Sequence, residues 1–143
     1  MRVPYEVIEH PADVGFLANG KTLEELFAHA ALAMFSLACG LQEIEERERR
    51  EIASTAADVE SLLFAWLAEI LAVADAEELV FRRAEISYLA IREGRGEIRG
   101  VVYGEKFDRE RHHAGTYVKA VTYHQLCVEQ TPDGWRAQVF LDV

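Results

Sequence analysis

The stretch Gly115-Thr-Tyr-Val-Lys-Ala-Val-Thr-Tyr-His-Gln125 combines strand-forming residues with one lysine and one histidine. Five of the seven residues from Tyr117 to Tyr123 are Val, Thr or Tyr, which suit a half-buried pleated surface. This run predicts a strand. Alternation along a strand would set Lys119 among aromatic and valine side chains on one face and His124 on the other. In that position Lys119 either extends its charged end to solvent or meets an anion, and the pattern favours neither.

Hydrophobic periodicity on either side of this stretch predicts further strands and two helices. Thr22 followed by Glu25 forms a capping box before an apolar run at helical spacing, and Asp58 caps a second such run. The predicted elements are strands over 5–9 and 14–18, a helix over 23–38, a strand over 43–53, a helix over 59–74, a hairpin over 79–91 and 97–103, and a last strand over 135–141. This order favours an α+β fold, a single two-layer domain over 1–143 in which an antiparallel or mixed sheet packs with two amphipathic helices.

The charge distribution limits the classes of partner. A net charge of −10 argues against unaided binding to the nucleic-acid backbone, which requires clustered Lys and Arg. Residues 1–75 hold 5 of the 15 basic residues but 14 of the 25 acidic ones. An acidic face in the first half suits metal ions or a basic protein partner, although acidic excess also serves solubility alone.

The remaining composition is typical of a cytosolic globular protein. No apolar run approaches the roughly 20 residues needed to span a bilayer. The start of the chain, Met-Arg-Val-Pro-Tyr-Glu, lacks the apolar segment of a secretory signal, which favours a cytoplasmic location. Cys39 and Cys127 form no metal motif, and we expect both to be buried thiols.

Two aspartates near predicted strand ends are candidate metal ligands. Asp13 follows the break at His10-Pro-Ala, and Asp142 lies at the end of the last strand beside Val143. Hard cations such as Ca²⁺ or Mg²⁺ need several oxygen ligands, which separate strands supply where their ends meet. His10 could add a nitrogen ligand. The spacing alone also allows Asp13 to cap a turn, Asp142 to be solvated and His10 to be a hydrogen-bonded bystander.

The polar loop after the hairpin contains a second candidate cluster. His112 and His113 lie close in sequence to Glu105, Asp108 and Glu110. This composition fits a metal or acid–base cluster, and it fits an ordinary exposed loop equally well. The chain has no H-E-x-x-H, G-x-S-x-G or P-loop motif, so the sequence gives little support for an enzyme.

Several separated blocks together resemble one family, the archeases. They include Tyr5-Glu-Val-Ile-Glu-His-Pro-Ala-Asp-Val-Gly15, Gly20-Lys-Thr-Leu-Glu-Glu-Leu-Phe27, Asp58-Val-Glu-Ser-Leu-Leu-Phe-Ala-Trp-Leu67 and Val118-Lys-Ala-Val-Thr-Tyr-His124, followed by the closing Leu-Asp-Val. Any one block would be a weak signal. Four blocks in this order are specific, and the resemblance covers nearly the whole chain.

The resemblance implies a small metal-binding accessory protein that is not itself an enzyme. Its implied partner is the GTP- and metal-dependent 3′-phosphate (2′,3′-cyclic phosphate) RNA splicing ligase of tRNA splicing and RNA repair, whose guanylylation and repeated turnover it promotes. RNA would be contacted only through the ligase, and no membrane is implied. The expected cofactor is a divalent metal, with calcium the first choice.

The resemblance also implies roles for individual residues. Asp13, Asp142 and Val143 correspond to the metal site, and Lys119 to a cation beside it. His10, His112 and His124 match the pattern as candidates for the surroundings of the metal. Two positions differ from the family, because Pro11 stands where threonine is frequent and Ala65 where an acidic residue often precedes Trp66.

Two other classes of function remain open from the sequence. A stand-alone metal-dependent hydrolase or nuclease would use Asp13, Asp142 and a histidine to activate water. A general chaperone or interaction module would use the acidic surface without any catalytic motif.

Overall fold

The computed structural model describes residues 3–9 and 13–143, which form an α+β fold. Within these residues two helices pack with two antiparallel sheets. In chain order the elements are β1 (Tyr5–Glu9), β2 (Asp13–Gly20), α1 (Leu23–Ala38), a 3₁₀ turn (Leu41–Glu43), β3 (Glu48–Ala56), α2 (Val59–Glu77), β4 (Leu79–Arg92), β5 (Arg95–Lys106), β6 (Ala120–Val121), β7 (Cys127–Thr131) and β8 (Gly134–Asp142). The predicted fold class is confirmed, although the strands divide between two sheets.

Strand β8 is the centre of the larger sheet. It pairs with β2 along one edge, and β2 pairs in turn with β1. Along its other edge β8 pairs first with β7 and then, near its end, with β6. The smaller sheet has the order β3-β5-β4. The start of β2, the start of β6 and the end of β8 therefore meet at one end of the larger sheet.

Both helices begin at the residues that the capping signals predict. The Thr22 hydroxyl accepts a hydrogen bond from the Glu25 amide at 3.1 Å, and α1 has the predicted bounds of 23–38. The Asp58 carboxylate likewise accepts from the Ser61 amide at 2.8 Å. Helix α2 continues to Glu77, three residues beyond its predicted end, and stops at Glu78, whose backbone is left-handed. Ala, Asp and Glu continue the helix there without the apolar pattern that marked its start.

The core lies around the two helices, each of which contacts strands of both sheets. Trp66 is fully buried, and its indole N–H donates to the Phe27 carbonyl of α1 at 3.1 Å. Gly100 of β5 makes room for this ring, because a Cβ there would lie 2.7 Å from the Trp66 side chain. The predicted apolar stripe of α2 is confirmed as core, with Leu71 at its half-buried margin.

The predicted strand over 117–123 is wrong in length, because only Ala120 and Val121 pair with β8. The rest of that edge of β8 is taken by β7, which the sequence did not separate as a strand. Upstream, the Gly115 and Thr116 amides donate to the carbonyls of Ala38 and Leu37 at the end of α1. Because β7 occupies the neighbouring part of β8, most of the 117–123 segment has no strand to pair with, despite its strand-forming composition. The predicted alternation of faces is also wrong, because Val118 and Val121, which a regular strand would place on opposite faces, are both buried.

Two further expectations need correction. The strand predicted over 43–53 begins only at Glu48, because residues 41–43 form a 3₁₀ turn and the Glu45 amide donates to the Glu105 carboxylate at 2.8 Å. Cys39 is buried as expected, but Cys127 is exposed near the edge of the larger sheet. Neither cysteine is in a disulfide. Among the described residues, no helix is both long enough and apolar enough to cross a membrane.

Candidate functional site

Asp13 and Asp142 lie directly opposite each other in the larger sheet. The antiparallel register of β2 and β8 makes them cross-strand partners at the end of the ladder. Residues in this relation have Cβ atoms about 4.5–5.5 Å apart and project on the same face. The core face carries Phe16 and Leu141, both fully buried, so the two carboxylates belong to the outer face. Residues 129 positions apart in the chain are thus brought together.

The carboxylates of Asp13 and Asp142 form no ion pair within the part of the chain that the structure describes. Neither side chain has a hydrogen bond or ion pair with any residue of 3–9 or 13–143. Like charges directly opposite each other in a sheet are destabilising. Asp142 is exposed and Asp13 half-buried, so a cation from solution can reach both. The pair therefore fits the carboxylate part of a hard-cation site.

The described residues do not complete a metal site from side chains alone. Across 3–9 and 13–143, no group of three or more His, Cys, Asp or Glu residues is arranged to hold an ion. Val143 follows Asp142 directly and is half-buried. His10 and Pro11 lie outside the described residues.

Lys119 lies on the other side of Asp142 from Asp13. Its backbone amide donates to the Asp142 carbonyl at 2.8 Å, and the next residue, Ala120, is the cross-strand partner of Asp142. The Lys119 side chain is exposed, and it forms no ion pair within the described part of the chain. Across this end of the sheet the order is therefore Asp13, Asp142 and Ala120, with Lys119 adjoining.

His124 is on the same face of the sheet as the carboxylates. Its ring meets the Phe140 ring edge-on, with centroids 5.8 Å apart. Phe140 is two residues before Asp142 on β8 and therefore shares its face. The Phe140 ring lies over Gly15, where a Cβ would come within 2.7 Å of it. One aromatic ring thus separates His124 from the aspartate pair.

His112 has a different position from the one expected, in a buried cluster around Glu105. Its Nδ1 accepts from the Asp108 amide at 2.9 Å, so its Nε2 carries the proton and donates to the Glu105 carboxylate at 2.9 Å. Both ring nitrogens are thereby used, and none of these partners is Asp13, Asp142 or Lys119. In this arrangement His112 has no free lone pair for a metal, and its hydrogen bonds hold its own loop against β5.

Glu105 is the centre of this cluster, for which the sequence left a metal or acid–base cluster and an ordinary exposed loop equally open. Both carboxylate oxygens accept from the Arg111 guanidinium, at 3.0 and 2.8 Å, and one also accepts the Glu45 amide. The side chain is almost fully buried. Hydrogen bonds from Arg111 outweigh the cost of burial and lower the pKa of Glu105 to about 2. The signal available in the sequence was the pairing of Glu105 with Arg111 and His112 across one short loop.

The neighbouring His113 does not join the Glu105 cluster. Its backbone amide and its ring both contact the Glu43 carboxylate, at 2.9 and 2.7 Å. Hydrogen bonds from the His113 backbone and ring lower the pKa of Glu43. The loop is therefore fixed to the 3₁₀ turn through Glu43 and to β5 through Glu105. It then passes the end of α1 and reaches Lys119. These contacts hold the loop in a defined path and leave the carboxylate pair as the candidate functional site.

Comparisons with known proteins concern the family and the fold of the whole chain. The sequence model of the Archease protein family (MTH1598/TM1083) matches residues 5–143. The chain is 42% identical over 139 residues to the protein archease of Methanosarcina mazei, which covers 97% of this chain and 95% of that relative. It is 41% identical over 140 residues to the protein archease of Pyrococcus furiosus, with 97% and 98% covered.

Solved structures have the same architecture. The solution structure of protein 1598 from Methanobacterium thermoautotrophicum superposes with a TM-score of 0.84 at 33% identity, covering 98% of this chain and 99% of that one. The crystal structure of an archease from Thermotoga maritima, described as a possible chaperone, superposes with a TM-score of 0.59 at 22% identity, covering 100% and 98%. At that identity the second similarity concerns the fold alone.

Proposed function

The chain belongs to the archease family, and from this premise we propose that it is a metal-binding accessory protein of an RNA ligase. The ligase joins 3′-phosphate or 2′,3′-cyclic phosphate RNA ends with GTP and metal, in tRNA splicing or RNA repair. The accessory protein promotes guanylylation of the ligase and its repeated turnover. Bond-forming chemistry belongs to the ligase, and this chain contacts RNA only through it.

One observation carries the proposal, namely the convergence of Asp13, Asp142 and Lys119. The three come from distant parts of the sequence, yet β2, β8 and the segment entering β6 meet at one edge. Core packing does not require these residues, because Asp142 and Lys119 are exposed and their side chains have no partner in the described chain. Two unpaired carboxylates, with a lysine whose backbone adjoins one of them, suit a cation and a phosphate.

The proposed metal ligands are the carboxylates of Asp13 and Asp142, with a backbone oxygen of Val143. Oxygen donors of this kind select a hard divalent cation, and calcium accepts the irregular geometry of two strand ends better than magnesium does. When bound, such a cation supplies positive charge that attracts nucleotide phosphate. Lys119 adds a mobile ammonium that binds a phosphate oxygen, and His124 lies on the same face beyond Phe140.

The test measures ligase guanylylation and multiple-turnover RNA ligation with and without this protein, and with and without added calcium, while the metal that the ligase itself requires is kept constant. We expect Asp13→Asn, Asp142→Asn and Lys119→Ala each to reduce the stimulation by about tenfold or more. Loss of a residue that only supports the ligands of a metal site typically has an effect of at least this size. Glu93→Gln, which changes an exposed carboxylate in the β4–β5 turn, is the matched control. No stimulation by the wild type would refute the accessory role.

The same preparations separate the two other classes of function. Metal-dependent cleavage of RNA without the ligase, abolished by Asp13→Asn, would indicate a stand-alone nuclease. Suppression of aggregation across unrelated client proteins, insensitive to Asp142→Asn, would indicate a general chaperone.

A further inference from the structure

Two exposed tyrosines lie on either side of Lys119. Tyr117 is 65% exposed and Tyr123 is 60% exposed, the two highest values among the large hydrophobic side chains described. Both lie within four residues of Lys119 in the segment that reaches the aspartate pair. Burying a tyrosine at an interface gains apolar area at a small entropic cost, which is why this residue is enriched among binding anchors. Their exposure beside the candidate site calls for an explanation.

Tyr123 is already held in place on the surface. Its ring stacks on that of Phe64 in α2, with centroids 3.9 Å apart and planes within 9° of each other. One face of the tyrosine is therefore covered, and the other remains open to solvent. A ring fixed in this way loses little conformational freedom when a partner covers it.

Tyr117 borders a surface cavity of about 320 Å³. The cavity lies between the C-terminal parts of α1 and α2 and the segment that leads to Lys119. Its walls are mainly apolar, and they include Phe35, Ile70, Leu71, Ala74 and Val118. This volume is at the small end of the range for ligand sites, about 300–1,000 Å³. Because few polar groups are available to orient a free ligand, an apolar side chain of a protein fits the cavity better.

Helix α2 connects the cavity to the stacked tyrosine. Phe64, Ala68 and Leu71 follow each other at helical spacing, and all three are half-buried. The helix also contacts β6 and β7, so it runs alongside the segment that bears both tyrosines. The result is one continuous surface, which we call the tyrosine surface, formed by Tyr117, Tyr123, the α2 face and the cavity. It adjoins Lys119 and hence the aspartate pair.

We propose that the tyrosine surface is where the RNA ligase docks, an inference that rests on the proposed function. The ligase places an apolar side chain in the cavity, packs against both tyrosines and thereby brings the phosphate of its nucleotide to Lys119. The last feature follows from charge, since the Lys119 ammonium has no ion pair among the described residues of a chain with a net charge of −10. Docking at this position sets the aspartate pair against the ligase.

The experiment measures the affinity of the protein for the RNA splicing ligase of the same organism by titration calorimetry. Tyr117→Ala and Tyr123→Ala are each expected to raise the Kd about tenfold or more, as truncation of an interface anchor does. Ala74→Leu, which fills the cavity without changing charge, is expected to weaken binding in the same way. Tyr88→Ala is the matched control, because Tyr88 is an exposed tyrosine that lies on the smaller sheet. Thermal unfolding of each variant verifies that it is folded.

Activation assays distinguish failure of this inference from failure of the proposed function. Tyr117→Ala should recover full stimulation at saturating concentration, whereas Asp142→Asn should bind normally and fail to stimulate. If the wild type binds and stimulates the ligase while both tyrosine variants bind within twofold of it, the docking surface is wrong and the function stands. If the wild type neither binds nor stimulates, both are wrong. A tyrosine variant that dissociates a homodimer without changing ligase affinity would assign the surface to a second copy.

Discussion

Glu105 and Asp142 are both carboxylates near strand ends, and their surroundings are opposite. Glu105 is 2% exposed and accepts hydrogen bonds from Arg111, His112 and the Glu45 backbone. Asp142 is exposed, faces the carboxylate of Asp13 and has no side-chain partner in the described residues. A carboxylate such as Glu105, which accepts hydrogen bonds from other parts of the fold, stabilises the native state. A carboxylate such as Asp142, which lies opposite another carboxylate and forms no ion pair in the described chain, can bind a ligand from solution.

The largest effect is expected from breaking the Glu105 cluster. Glu105→Ala leaves the Arg111 guanidinium, the His112 ring and the Glu45 amide without their shared acceptor. Because the His112 ring is buried and the Glu45 amide loses its acceptor as well, leaving these donors unsatisfied costs about 3 kcal/mol of unfolding free energy. Urea unfolding measures this loss, with Glu93→Ala as the exposed control. A loss below about 1 kcal/mol would show that the cluster is dispensable and would remove the contrast with Asp142.

The stabilising role of the ionised Glu105 carboxylate should also appear in the pH dependence of stability. The pKa of Glu105 is lowered from 4.5 to about 2, chiefly by Arg111. A depressed pKa in the folded state contributes stability that is present above the unfolded pKa and is lost as pH falls toward 2. The stability difference between the wild type and Glu105→Gln should therefore shrink by about 2 kcal/mol from pH 7 to pH 3. Urea unfolding at several pH values measures it, and a pH-independent difference would contradict the ionised cluster.

A smaller effect is expected from calcium at the aspartate pair. At a free calcium concentration ten times the Kd, binding to the native state adds about 1.4 kcal/mol to the free energy of unfolding. Asp142→Asn should abolish this gain while leaving the metal-free protein at least as stable as the wild type, because it removes a like-charge contact. Thermal unfolding with calcium and with chelator measures both quantities. Equal calcium stabilisation of the variant would place the metal elsewhere.

Local patterns in the sequence were enough for the helices and for much of the core. The boundaries of α1, both N-terminal caps and the Trp66 stripe follow from interactions within a few turns of one helix. The β4–β5 hairpin was likewise predictable, because Gly94 adopts the left-handed backbone that its turn requires. The family resemblance implies roles for Asp13, Lys119 and Asp142 that stay predictions, because residue spacing by itself leaves both aspartates open to ordinary roles.

Interactions between distant segments determined what the sequence could not predict. The Gly115–Gln125 stretch has strong strand composition, yet β7 occupies most of the edge of β8 and leaves only two residues to pair. His112 was grouped with the metal candidates, but the fold pairs it with Glu105. These outcomes depend on which edges and side chains remain available after the rest of the chain has folded.

The sequence by itself determined the helices, their caps and the apolar faces, because these depend on residues close together along the chain. Only the tertiary structure decided the pairing of β2 with β8, which sets Asp13 opposite Asp142 and brings Lys119 alongside. Strand register between segments more than 100 residues apart is selected by burying Phe16, Val139 and Leu141 on one face. That choice necessarily places the two carboxylates together on the other.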